Sequence, residues 1–372
     1  MNFFRRSPYL FKRLCDRLRV WKFSRYEVVF MRVLFAFVIY QTMPLGKPFS
    51  TLTQDLFPAI NPAISSKEKN ESLRPPLPPI VELLPNSSQR MTFDSQPVPN
   101  GIAHWVDLTF FSNDRFVALL PWIVIPAILL YASGIGLPIT LPLLTFISIG
   151  SRTLSNSQGA INHGFQLVSA ILLVQTGVIL FGVIYRLIKK KHFVDSRQRT
   201  IRDYYIYSTI LLCVSFYMIA GYIKLIKSDG EWIQNSPYIG IQLVKTDRQN
   251  YYTNMDGKHF GKAKVRWASD MLEHPNFTRV FMACGLCLEL FAFIALFGRA
   301  WCAVTGLMIL AFHQLNDSIM GLMFYHNEKI VWIFLVNIPF WIVMLNRRIR
   351  KDPALIPLLS DESEDEIEAS PA

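Results

Sequence analysis

The chain has 372 residues, 51% of them hydrophobic, with a mean hydropathy of +0.27 and a formal net charge of +11. Soluble domains are rarely so apolar, and the apolar residues fall in long blocks, which excludes an ordinary soluble domain and predicts an all-α polytopic membrane bundle. The positive charge does not point to nucleic acid, because no basic face interleaved with aromatics stands in a polar segment. The cations cluster beside apolar blocks instead, as the positive-inside rule requires.

Taken in chain order, the first 25 residues carry eight Lys/Arg against one Asp. That is too polar for a cleavable signal core, so the first apolar block is expected to act as an uncleaved signal-anchor. Hydropathy predicts about eight transmembrane helices, at 26–44, 116–134, 136–150, 163–185, 204–226, 277–297, 299–321 and 329–346. With the N-terminus inside, 186–203 and 347–372 also lie inside. The segment 186–203 holds seven Lys/Arg, and "RRIRK" adds four after the last span. The longer outer loops 45–115 and 227–276 hold six and seven, spread thinly. Three units follow: a basic cytosolic N-terminus (1–25), a transmembrane domain (26–346) and an acidic cytosolic tail (347–372).

The 45–115 loop is rich in Pro, Ser and Asn ("SLRPPLPPIVELLPNSS") and reads as irregular. Sequons at Asn70, Asn86 and Asn276 all fall in outer loops, where a eukaryotic secretory membrane would glycosylate them. The five cysteines (Cys15, Cys213, Cys284, Cys287, Cys302) give no even set in an outer loop, hence no disulfide framework. The placement expected is an integral multi-pass protein of the endoplasmic reticulum or another secretory membrane if the source is eukaryotic, or of the plasma membrane if it is bacterial.

Ionisable groups inside spans are expensive and mark function. Here they are Glu27 and Arg32 in the first span, His163 opening the fourth, Lys224 near the end of the fifth, Glu289 in the sixth, and His313, Asn316 and Asp317 in the seventh. The topology puts Lys224, His163, His313, Asn316 and Asp317 towards the outer leaflet. A lysine one turn from a span's end most commonly snorkels its ammonium to the interface. If it faces a protein cavity instead, desolvation favours the neutral amine, a general base. Both roles stay open at this point. Glu289 needs a partner such as Arg32. "CGLC", Cys284 to Cys287, reads as two small residues packing between helices in preference to a redox pair. No ligand spacing indicates a metal, and no phosphate loop, hydrolase elbow or dinucleotide fingerprint stands in a suitable context.

"FYMIAGYIKLIKSDGEWIQ", Phe216 to Gln234, resembles the "YFIAGVKKLDADWVEGY" of vitamin K-dependent gamma-carboxylases and the wider horizontally transferred transmembrane (HTTM) domain family. Ala220, Gly221, Lys224, Leu225 and, past a small insertion, Trp232 match. Ile223 replaces the first lysine of the family's pair. "INHGFQLVSAIL" is similar to "NNHSYLYGLLAF" through Asn162 and His163. "FHQLNDSIMGLMFY" is similar to "FHCMNSQLFSIGMF" through Phe312, His313, Asn316 and Met320. "FMRVLFAFVIY" and "CLELFAFIALF" match more weakly, the latter with Asp in the family at the position of Glu289.

These matches run from 26 to about 346 and leave out the family's lumenal substrate-binding region. The resemblance implies a membrane lyase in which Lys224 is the base acting on a reduced vitamin K or related quinol. His163 assists carboxylation of a glutamyl group with O2 and CO2 as co-substrates, and His313, Asn316 and Asn162 position the quinol. Expected partners are the lipid bilayer, a lipid quinone and a peptide or protein substrate, with no nucleic acid and no metal. The competing expectation is an HTTM-type factor for maturation or export of a small peptide or lipid, without carboxylase activity. A transporter reading rests only on span number.

Overall fold

The computed structural model describes residues 20–45, 105–157, 163–196, 198–254, 262–320 and 324–349. Most of both predicted cytosolic termini, much of the 45–115 loop with Asn70 and Asn86, and Cys15 lie outside them.

Among the described residues every long element is a helix, and the only extended pairing is an isolated bridge between Val194 and Thr200. Helix α1 spans Arg25–Thr42, α2 Asp114–Ser133, α3 Leu137–Ser157, α4 His163–Lys189 and α5 Ile201–Lys227. Helices α6 (Ile239–Asn254) and α7 (Lys262–Glu273) follow. Helix α8 is Pro275–Leu290, continued by a 3₁₀ segment Ala292–Phe297, and α9 is Arg299–Met320. The last apolar stretch is α10 (Tyr325–Ile330), a π segment Val331–Leu335 and α11 (Ile338–Ile349).

Each of the eight predicted blocks is therefore helical, with ends within a few residues of the expectation for most. Among the described residues, five segments are long and apolar enough to cross a membrane: Arg115–Ser133, Leu137–Leu154, Gly164–Lys189, Ile201–Lys227 and Tyr325–Asn346. That marks the chain as membrane-embedded. Outward-facing Trp122, Leu129, Ile139, Ile184 and Leu187 are all more than half exposed, as a lipid-facing surface requires. Helices α6 and α7 inside the 227–276 loop differ from the expectation, because apolar length cannot reveal helices that are polar on average, of which α7 alone is strongly amphipathic.

Local chemistry sets where the helices begin. Ser24 and Glu27 form a capping box at the start of α1, and Thr200 with Asp203 forms one at the start of α5. Asp203 also accepts the Phe23 amide at 2.9 Å, tying the entry to α1 onto α5. In the core, Phe35 packs edge-on against Tyr131 and Phe334. Polar groups hold the helices where apolar packing alone gives no orientation. Tyr205 donates towards Tyr131 at 2.8 Å and Gln175 at 2.9 Å, while the Gln175 amide donates to Thr209 at 3.0 Å, joining α2, α4 and α5. Thr145 with Thr176 and Ser148 with Ser169 join α3 to α4.

The ends of the helices group as an antiparallel bundle demands. Arg25, Ser133, Leu137, Ile179 and Ile201 meet at one end. At the other, Arg152 donates to the Thr42 carbonyl and lies over the Phe165 ring.

Candidate functional site

Lys224 lies in the last turn of α5, and its ammonium reaches both carboxylate oxygens of Glu289 on α8, each at 2.6 Å. The Trp232 ring lies 5.2 Å from the same nitrogen, just beyond the end of the helix. The lysine side chain is 30% exposed and the glutamate 8%, so the pair stands at the edge of the protein interior. Close approach of α5 and α8 makes the contact possible. A Cβ on Gly221 would lie 3.1 Å from the Glu289 Cβ and 3.2 Å from Leu290, so the glycine lets α8 pack tightly one turn before Lys224.

This corrects the expected pairing of Glu289 with Arg32. The Arg32 guanidinium instead packs on Gly134 between α2 and α3, and its Nε has no hydrogen-bond partner. Depth explains the error. Arg279 donates to the Gln234 carbonyl and Thr278 to the Met271 carbonyl, so α8 begins beyond the end of α5 and reaches the level of Gly221 only at Glu289. Counting inward from 277 placed Glu289 too deep to meet Lys224.

His313 lies on α9, buried, with its ring stacked 4.8 Å from Phe324 and its Nε2 3.4 Å from the Tyr217 hydroxyl. Its Nδ1 is buried with no hydrogen-bond partner. Tyr217 sits two turns before Lys224 on α5, so the histidine's partner and the lysine share one helix. The sequence reading missed Tyr217, although the seven-residue spacing to Lys224 on one helix face was a usable signal. Asn316 and Asp317 follow one turn after His313 and are half-buried. Glu328 accepts from the Gln314 amide at 2.9 Å at the same end of α9.

His163 opens α4, and Asn162 precedes it. The side chain of His163 and the whole of Asn162 lie outside the described residues, as do the side chain of Met320 and residues 321–323. A histidine that the sequence reading did not single out, His326, lies against Phe165 at 5.0 Å with an unpartnered Nδ1. The nearby Lys329 ammonium sits 3.6 Å from the Tyr325 ring centroid and donates to Gln41.

Two further charged groups are structural. Glu27 is 2% exposed, accepts from Arg299 at 2.5 Å and from the Asn337 amide at 2.7 Å, and closes the opposite end of the bundle. Asn337 adopts a left-handed φ of 57° directly after the π segment, a conformation asparagine tolerates better than other side chains. The reading of "CGLC" also changes. Cys284 and Cys287 are free and exposed, and it is Gly285 that packs between helices, beneath the Phe312 ring. Among the described residues no cluster of three or more His, Cys, Asp or Glu stands ready for a metal.

The arrangement offers a lysine with a carboxylate proton partner, and a buried histidine with one free ring nitrogen beside a tyrosine hydroxyl. That chemistry suits proton transfer at the edge of the bundle. Comparison with protein-family models, curated proteins and solved structures finds no match to this chain.

Proposed function

We propose that the chain is a multi-pass membrane enzyme of about eight spans, of the vitamin K-dependent carboxylase type that its motifs resemble, with Lys224 as the proton-accepting group. The observation that carries this reading is the pairing of Lys224 with Glu289. A pure snorkelling anchor needs only lipid and water around its stem, whereas this ammonium has a nearly buried carboxylate of its own. Transfer of one proton from Lys224 to Glu289 leaves an amine beside a carboxylic acid. The amine lone pair then accepts a hydroxyl proton from substrate, and Glu289 keeps its proton until the cycle closes.

The buried, unpartnered Nδ1 of His313 fits a phenolic hydroxyl, and Asn316 one turn on lies on the same helix face. His313 and Asn316, together with Asn162, would hold the head group of a reduced quinol. Such a quinol, with O2, would supply the strong base needed to deprotonate a glutamyl side chain for carboxylation by CO2. His163 would hydrogen-bond the reacting carboxylate. A secretory membrane of a eukaryote, or the plasma membrane of a bacterium, supplies the lipid quinone and the peptide.

One observation favours the second reading, an HTTM-type factor for peptide or lipid maturation or export without carboxylase activity. Glu289 grips Lys224 through both oxygens, which is also what a structural ion pair does. The purified protein in lipid nanodiscs, given reduced vitamin K, a glutamate-containing peptide and labelled CO2, decides between them. Label in the peptide that depends on the quinol and on Lys224 supports the enzyme. No label above that of Lys224→Ala supports the factor.

A further inference from the structure

At the end of the bundle opposite Lys224 lies a cavity of about 290 Å³ lined by Arg25, Arg32, Arg202, Ser133, Leu137 and Tyr205, among others. Three arginines, two from α1 and one from α5, thus line one cavity, Arg25 and Arg202 at its exposed rim. Among the described residues no carboxylate is paired with any of them. The two nearest in sequence are engaged elsewhere, Glu27 with Arg299 and Asn337, and Asp203 with the Phe23 amide and Thr200.

Three cations in a shared cavity repel one another unless an anion joins them. Arg25 is the first residue of α1, Leu137 the first of α3, and Arg202 the second of α5, so three helix N-termini converge here. The N-terminal end of a helix is the positive end of its dipole, and arginine there is unfavourable by itself. Capping boxes with Glu27 and Asp203 already answer the first turns of α1 and α5, so it is the three arginines that favour a phosphate. Arg32, which reaches the cavity from the second turn of α1, leaves its buried Nε unpartnered. The rest of the lining is apolar (Val28, Val29, Leu137, Ile179, Ile201), as suits a group that carries acyl chains.

We propose that this cavity is a binding site for a phosphate group, presented by an anionic lipid headgroup or as free phosphate. It sits where the basic segments 1–25 and 186–203 join the bundle, the leaflet where anionic lipids concentrate if those segments are cytosolic.

The test compares full-length protein in three kinds of nanodisc: phosphatidylcholine alone, phosphatidylcholine with phosphatidic acid, and phosphatidylcholine with added inorganic phosphate. Binding is read by native mass spectrometry and by thermal stability. The wild type gains bound phosphatidic acid, or phosphate, and a higher Tm than in phosphatidylcholine alone. Arg202→Gln, at an exposed position, and Arg32→Gln weaken that binding roughly tenfold each, the loss expected for one charged hydrogen-bonding partner. Lys227→Gln, at the other end of α5, leaves it unchanged. Response to phosphatidic acid alone identifies a lipid headgroup, and an equal response to inorganic phosphate identifies the free ion. No gain in either arm, or a gain that survives both arginine substitutions, overturns the site.

Discussion

The Lys224 ammonium bridges the end of α5 to the last turn of α8, 2.6 Å from each Glu289 oxygen and beneath the Trp232 ring. It follows that the lysine's role is measurable apart from its charge. Lys224→Arg keeps a cation but cannot release a proton at any relevant pH. If the lysine is the base, Lys224→Arg and Lys224→Ala both insert and fold yet lose activity by about 10²–10⁴-fold, read by label incorporation. Lys227→Arg, exposed one turn on, stays active. Full activity of Lys224→Arg would remove the amine-chemistry reading.

Glu289→Gln separates the two functional readings from the other side. It keeps the shape and leaves the lysine without its anion. A structural pair at this partly exposed edge contributes modestly, so folding survives with a small loss of stability. Activity falls with the proton relay if Glu289 holds the Lys224 proton. The measurement is the labelled-CO2 assay alongside thermal unfolding of the same preparation.

The Glu27–Arg299 pair predicts a different outcome, because it is far more buried. Glu27→Gln leaves the Arg299 charge without its anion and is expected to destabilise by about 3–5 kcal/mol. Replacing both Glu27 and Arg299 by apolar residues costs less than the single change. Unfolding in mixed micelles, run as a double-mutant cycle, checks the order of the three variants.

Gly134 and Gly177 make a pair of opposite signs. Gly134 has a φ of 80°, and a Cβ there would stand 1.6 Å from the Arg32 guanidinium, so Gly134→Ala is destabilising on both counts. Gly177 lies inside α4 with nothing within 4 Å of an added Cβ, and Gly177→Ala stabilises by about 0.5–1 kcal/mol. Equal effects of the two substitutions on Tm would contradict the left-handed backbone at Gly134.

Tags at the N-terminus and after Ala372 are both expected in the cytosol, with Asn86 on the other side. Protease protection of tagged protein in sealed vesicles checks this. Termini on opposite sides would break the eight-span arrangement.

Hydropathy alone places the apolar helices, because burying backbone in lipid demands long apolar runs that satisfy their own hydrogen bonds, and such runs are countable; it does not reveal the polar α6 and α7. Helix α5 is expected at 204–226 and found at Ile201–Lys227. Lys224, His313 and Glu289 were visible as groups that do not belong in hydrocarbon. What hydropathy cannot give is the rotation of each helix or how far its first turn stands above the bilayer. Those are fixed by packing: Gly221 admitting α8 against α5, Arg279 holding α8 beyond the end of α5, and Gly134 accepting the Arg32 guanidinium. The pairing of Glu289 with Lys224 therefore follows from helix packing and not from hydropathy. The same packing brought Arg25, Arg32 and Arg202, 177 positions apart at the extremes, into one cavity.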